Sequence, residues 1–159
     1  MDASALVNRC ATQLREAFAP LIPRGQPVAL VDFPDSPNCG DHAVWLGEQA
    51  LLSELGAPAA YACSAQTYNR DEMAAKLGDG VVLVHGGGNF GHRYALHHEF
   101  RLRVMQDFPN NKIVVSPLEV TAQDNAFLES SRSVVAGHKN LVLLARSAAT
   151  QTLLRGYFG

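Results

Sequence analysis

The residues of this chain best suited to chemistry lie in two short loops and at one isolated arginine. The first loop, Asn38-Cys39-Gly40-Asp41, follows the apolar run Val28 to Phe33. The second, Gly86-Gly87-Gly88-Asn89-Phe90-Gly91, follows Val81 to His85. Each reads as a turn from a strand into a helix. In a parallel α/β sheet such turns gather at the C-terminal edge of the strands, where backbone N–H groups and helix N-termini favour anions. In the first loop Asn38 can offer its amide to a ligand or to the turn, and His42 follows the turn directly. Gly40 can take backbone angles closed to other residues, and Asp41 can accept a hydroxyl proton or cap a helix. In the second, His85 and His92 flank the glycines and have the right type for proton transfer. Arg93 and Arg146 are cations placed to meet a carboxylate or phosphate, and Arg146 stands at the end of the apolar run Leu141 to Ala145.

Each feature also has a plainer reading. Asn-x-Gly-Asp can be a tight turn with an N-cap, and three consecutive glycines mean close approach of the backbone to either a ligand or a neighbouring element. Gly86, Gly88 and Gly91 satisfy Gly-x-Gly-x-x-Gly. A dinucleotide site, however, carries that pattern on its first strand with an acidic residue about 20 positions on. Here it sits on the third strand, and Asn110 and Asn111 occupy that distance, so a nicotinamide or flavin cofactor is weakly supported. His97 and His98 follow His92 by five and six positions, poor spacing for a metal, and they read as surface or capping residues. Arg101 and Arg103, two apart on one helix, cannot face the same way, so at least one is solvated or packs along the helix.

The elements that must position these residues follow from hydrophobic periodicity. Helices are expected over Asp2 to Phe18, from about Asp41 to Leu55, over Arg70 to Leu77, Tyr94 to Phe108, Asn125 to Ala136 and Ala148 to Tyr157. Strands are expected over Val28 to Phe33, Ala59 to Ser64, Val81 to His85, Ile113 to Ser116 and Leu141 to Ala145. After an opening helix this is β followed by α, repeated. It predicts a single α/β domain over residues 1–159, a three-layer Rossmann-like parallel sheet with helices on both faces.

Composition narrows the function classes. A chain of 159 residues with 47% apolar and 18% charged residues has the make-up of a soluble globular domain. A net charge of −2 argues against an electrostatic grip on nucleic acid. Cys10, Cys39 and Cys63 show neither metal spacing nor a disulfide framework, which favours a cytoplasmic location. No apolar run approaches the roughly 20 residues needed to span a bilayer.

Taken together, Asp32-Phe33-Pro34 and Asn38-Cys39-Gly40-Asp41-His42-Ala43-Val44-Trp45-Leu46-Gly47-Glu48, then Leu83-Val84-His85-Gly86-Gly87-Gly88-Asn89-Phe90-Gly91, then His98-Glu99-Phe100-Arg101 and Leu144-Ala145-Arg146 resemble the polysaccharide pyruvyl transferase family. The resemblance runs from about Val28 to Phe158. It implies one lobe of a two-lobed GT-B fold, with phosphoenolpyruvate as donor and a sugar or polysaccharide repeat as acceptor. It further implies a second lobe or a homo-oligomeric partner, and no cofactor beyond the donor substrate. The chain differs from the family's common pattern where His92 follows Gly91, at Ser116-Pro117-Leu118, and where Ser147 follows Arg146. On this reading Asp41, His85 and His92 are candidates for proton transfer, and no metal is expected. Asn38, Gly40, His42, Gly86, Gly87, Gly88, Asn89, Phe90, Arg93 and Arg146 are candidates for substrate binding. The alternatives are a non-catalytic sugar- or nucleotide-binding module and, more weakly, a dinucleotide-binding oxidoreductase domain.

Overall fold

The computed structural model describes residues 2–88, 90–91, 94–121, 123 and 125–159. Along the chain these form α1 (Ala3–Phe18), β1 (Val28–Val31), α2 (Cys39–Glu54), β2 (Ala59–Cys63), α3 (Arg70–Leu77), β3 (Val81–Val84), α4 (Ala95–Asp107), β4 (Lys112–Leu118), α5 (Asn125–Gly137), β5 (Leu141–Ala145) and α6 (Ala148–Phe158). The strands make one all-parallel sheet in the order β2-β1-β3-β4-β5. The expected three-layer Rossmann-like architecture is the observed one.

Alternation along the strands divides the core in two, because successive side chains point to opposite faces. Leu30, Leu83 and Val114 pack under Trp45 and Leu52 of α2 and under Phe18 at the end of α1. Val31, Val84 and Val115 pack on the other face against Met73 and Leu77 of α3, Val104 and Met105 of α4, Leu128 of α5 and Leu154 of α6. β1 and β3 are buried at every position, as continuous apolar runs in central parallel strands should be. β5 is half-buried throughout and forms one edge of the sheet. No helix among the described residues is long and apolar enough to cross a membrane.

The strand order places the site. With β1 between β2 and β3, the loop after β1 leads into α2 on one face, and the loop after β3 leads into α4 on the other. The crevice between two such diverging loops is where open α/β sheets hold ligands.

Candidate functional site

At the C-terminal end of β1, Asp32 has φ 72, a left-handed conformation uncommon for a residue with a side chain. It is fully buried. Its Oδ2 accepts from Arg101 Nε at 2.7 Å, and its Oδ1 lies 2.6 Å from His97 Nδ1. The Arg101 guanidinium, also fully buried, donates from Nη2 to the His85 carbonyl at 2.7 Å. The exposed arginine of the pair is Arg103, with two-thirds of its side chain in solvent. The expectation of surface or capping histidines fails at this point. His97 is half-buried against Asp32, and His98 is buried, its Nε2 lying 2.7 Å from Ser131 Oγ of α5. Both lie on the first turns of α4, where packing against neighbouring elements outweighs the polarity of the ring.

His85 directly follows β3 and is fully buried. Its Nδ1 is 2.8 Å from Glu48 Oε2, and Glu48 Oε1 accepts from the Gly86 N–H at 3.1 Å. An ionised Glu48 carboxylate would accept here from the Nδ1–H tautomer of the ring. The Trp45 ring stands edge-on to the imidazole at 5.8 Å. His85 Nε2 and Arg101 Nη1 have no hydrogen-bond partner among the described residues. Glu48, Asp32 and Arg101 thus join α2, β1 and α4 around His85, and none of the three is among the site residues expected from sequence. A signal is present there: Glu48 falls three residues after Trp45 and four before Leu52, and Arg101 falls three before Val104. Both are charges on the core-facing stripe of a helix.

The first loop is closer to the surface. Asn38 is the N-cap of α2, its Oδ1 accepting from the Gly40 N–H at 3.0 Å. Its Nδ2 donates to Asp41 Oδ2 at 2.9 Å. The helix therefore begins at Cys39, two residues before the expected start, because Asn38 rather than Asp41 supplies the cap. Asp41 lies in the first turn, where a negative charge suits the helix dipole. A Cβ on Gly87 would stand 3.8 Å from Asp41 Oδ1, so the two loops adjoin. His42 is turned back on its own loop, with Nε2 2.7 Å from the Ser36 carbonyl and its ring against Phe33.

The glycines divide by role. A Cβ at Gly86 would meet the Pro117 carbonyl at 2.8 Å and Ser116 Cβ at 3.1 Å, so this glycine admits the neighbouring strand. Gly87 has φ 101 and donates its N–H to the Pro117 carbonyl. The N–H groups of both are spent within the protein, although the sequence suggested them for an anion. Gly88 is exposed, and a Cβ added to it would meet no described residue within 4 Å. Phe90 is buried, its ring 4.8 Å from that of His98. Asn89, His92 and Arg93 lie outside the described residues.

Arg146 follows β5 and is exposed. It borders a cleft of about 310 Å³ whose floor is Gly86, Gly87 and Ser116, with Glu48 at one side and Leu14, Phe18, Val44 and Leu51 as apolar walls. A larger open groove of about 780 Å³ lies beyond Arg146, toward α6. Among the described residues no cluster of three or more His, Cys, Asp and Glu side chains could hold a metal ion.

No family model matches the chain. It is 31% identical to "Pyruvyl transferase 1" of Schizosaccharomyces pombe over 138 residues, 83% of this chain and 34% of that protein. It is 29% identical to "Putative pyruvyl transferase EpsO" of Bacillus subtilis over 141 residues, 87% of this chain and 42% of that protein. The chain is a homologue of pyruvyl transferases. It spans between a third and a half of the length of these relatives, and the matched portion is long enough to include both loops and the sheet that carries them.

Proposed function

We propose that the chain is the acceptor-side part of a pyruvyl transferase that uses phosphoenolpyruvate as donor and sugar hydroxyls as acceptor, in polysaccharide biosynthesis. The observation that carries this reading is similarity to two proteins named as pyruvyl transferases over more than four-fifths of the chain. The reaction needs an acid to protonate the enol carbon, a base to take the hydroxyl proton, and cations to hold carboxylate and phosphate. As the hydroxyl oxygen bonds to the pyruvyl carbon, the carbon–oxygen bond to phosphate breaks and phosphate leaves. A second hydroxyl of the same sugar closes the ketal. Asp41, beside Gly87, and His85, held by Glu48, are the described candidates for proton transfer. Arg146 supplies positive charge at the cleft edge.

The test incubates the protein with phosphoenolpyruvate and a panel of glycans, alone and with a complementary lobe. The expected result is release of inorganic phosphate together with a pyruvylated glycan seen by mass spectrometry; with both lobes and no phosphate released, the reading fails. A second reading, a sugar-binding module without catalysis, draws on the full burial of His85. Binding of glycan without phosphate release would favour it. The dinucleotide reading loses ground, since a pyrophosphate would compete with Glu48 and Pro117 for the Gly86 and Gly87 N–H groups.

A further inference from the structure

Among the described residues, β5 pairs with β4 alone. The Ile113 N–H donates to the Asn140 carbonyl, and the Arg146 N–H donates to the Leu118 carbonyl. In a parallel ladder alternate residues turn their backbone groups to the same neighbour, so Val142 and Leu144 face β4 as well. Leu141, Leu143 and Ala145 therefore present their N–H and C=O groups outward, a row of donors and acceptors with no strand beside it. Exposed edges are normally blunted by charge, proline or a bulge. Leu141–Ala145 has no charged residue and no proline. The irregularity in its pairing, between Val115 and Leu118, lies on β4.

The open groove of about 780 Å³ follows this edge. Leu14 and Phe18 of α1 line it, as do Leu154 and Phe158 of α6, together with Leu143 and Leu144 of β5. Leu143 packs with the core on the α6 face and Leu144 with the core on the α1 face, so the groove runs round the edge of the strand rather than along one face. Leu14 is 45% exposed, and β5 is half-buried along its whole length. With apolar walls on both sides, a segment extended along β5 must be apolar on both of its faces, as β1 and β3 are. The groove is also lined by Arg146 and Arg155 and by no Asp or Glu side chain. Neither arginine forms an ion pair among the described residues.

We propose that the β5 edge takes up a sixth, parallel strand from a partner segment, a continuous apolar run that ends in carboxylates. The crossover helices give its direction. α4 and α5 lie on the same face as α6, and each leads to the next parallel strand outward, from β3 to β4 and from β4 to β5. α6 is the next helix in that series. A strand beside β5 bonds to the outward groups of Leu141, Leu143 and Ala145, the usual mode of strand addition to an open sheet edge. Its side chains meet Leu154 and Phe158 on one face and Leu14 and Phe18 on the other, and its carboxylates end beside Arg146. Five residues at about 3.3 Å each match the length of β5. A second copy of the chain fits less well, because its own groove brings a further Arg146 and Arg155 and no acid to meet them. An alkyl chain would cover the apolar walls but leave the outward N–H groups without acceptors. This surface is independent of the transfer reading.

The test is amide hydrogen exchange read by NMR in the full chain, at low and high protein concentration and with three blocked peptides. The first peptide alternates valine and leucine along the length of β5 and ends in a pair of aspartates. The second ends in a pair of lysines instead, and the third is the first with proline at its centre. In the chain alone, Leu143 and Ala145 should exchange faster than Val142 and Leu144, whose N–H groups β4 holds. The aspartate peptide should slow Leu143 and Ala145 by about tenfold and leave β2, the opposite edge, unchanged. The lysine peptide should bind about fivefold more weakly at low salt, and the proline peptide should give no protection. No protection by the aspartate peptide, equal protection of β2, equal binding of the lysine peptide or protection by the proline peptide each overturns the proposal. Protection of Leu143 that rises with protein concentration in the absence of peptide also overturns it, and assigns the edge to a second copy. Shifts of the Leu154 and Phe158 resonances with dodecyl phosphate, and none with the aspartate peptide, overturn it in favour of an anionic amphiphile. Every control alters the added molecule, so the chain stays wild type throughout.

Discussion

Gly86 and Gly88 are two residues apart and face opposite constraints. A methyl group at Gly86 must push the Pro117 carbonyl or the Ser116 side chain, and neither is the free end of a flexible chain. Gly86→Ala is therefore expected to cost about 1–3 kcal/mol, read as a lower denaturant midpoint. Gly88→Ala meets no described residue within 4 Å and should leave the midpoint unchanged. Cys63 offers a second residue-scale prediction. Burial pushes its thiol up from an ordinary value near 9 to about 11. The folded state thus favours the neutral thiol, a contribution fully present below about pH 9 and lost as pH climbs through about 11. Wild type should lose stability relative to Cys63→Ala across that window in urea titrations. Below it, native-state alkylation should label the exposed Cys10 and Cys39 and spare Cys63.

At the scale of elements, α2 carries the site at both of its functional positions. Its N-cap fixes the first loop, and Glu48, in its third turn, reaches His85 and Gly86. Asn38→Ala removes the cap and should destabilise the protein by about 1 kcal/mol in thermal or urea melts, with Asp41 losing its Asn38 contact as well. Periodicity makes most elements legible. Arg70–Leu77 and Leu141–Ala145 coincide with their expected bounds, and the others differ by only a few residues at one or both ends. The candidate site is legible at its rim and at His85, which flanks the glycines. Asn38, Gly40, Asp41 and the glycines announce themselves by local turn chemistry, which depends on neighbours in sequence. The pairings that join Asp32, Glu48, His85 and Arg101 run across 16 to 69 positions, which no local period encodes. Weighing Arg101 only against Arg103 as a surface charge misses its spacing from Val104 and Met105, which puts it on the buried stripe.

For the whole molecule, the buried polar cluster links the two helical layers through the end of the sheet. Glu48 comes from the helix on one face and Arg101 from the helix on the other, and both bond to the single residue His85. Glu48→Gln and Arg101→Lys should therefore be non-additive, with a coupling of about 0.5–3 kcal/mol in a double-mutant cycle. Substitutions on the two faces away from this bridge should add. Additive losses for the Glu48 and Arg101 pair would mean that the two layers meet His85 independently.

The strand order carries a consequence for the time course of folding. β1 emerges first from a growing chain yet has β2 and β3 as its two neighbours, so it cannot be enclosed until residues through Val84 exist. Arg101, which closes the polar cluster, comes later still. Such a non-local sheet folds slowly and late relative to its helices. Trp45, the single tryptophan, stands against His85 and Phe33, so the emission of one residue records when that closure occurs.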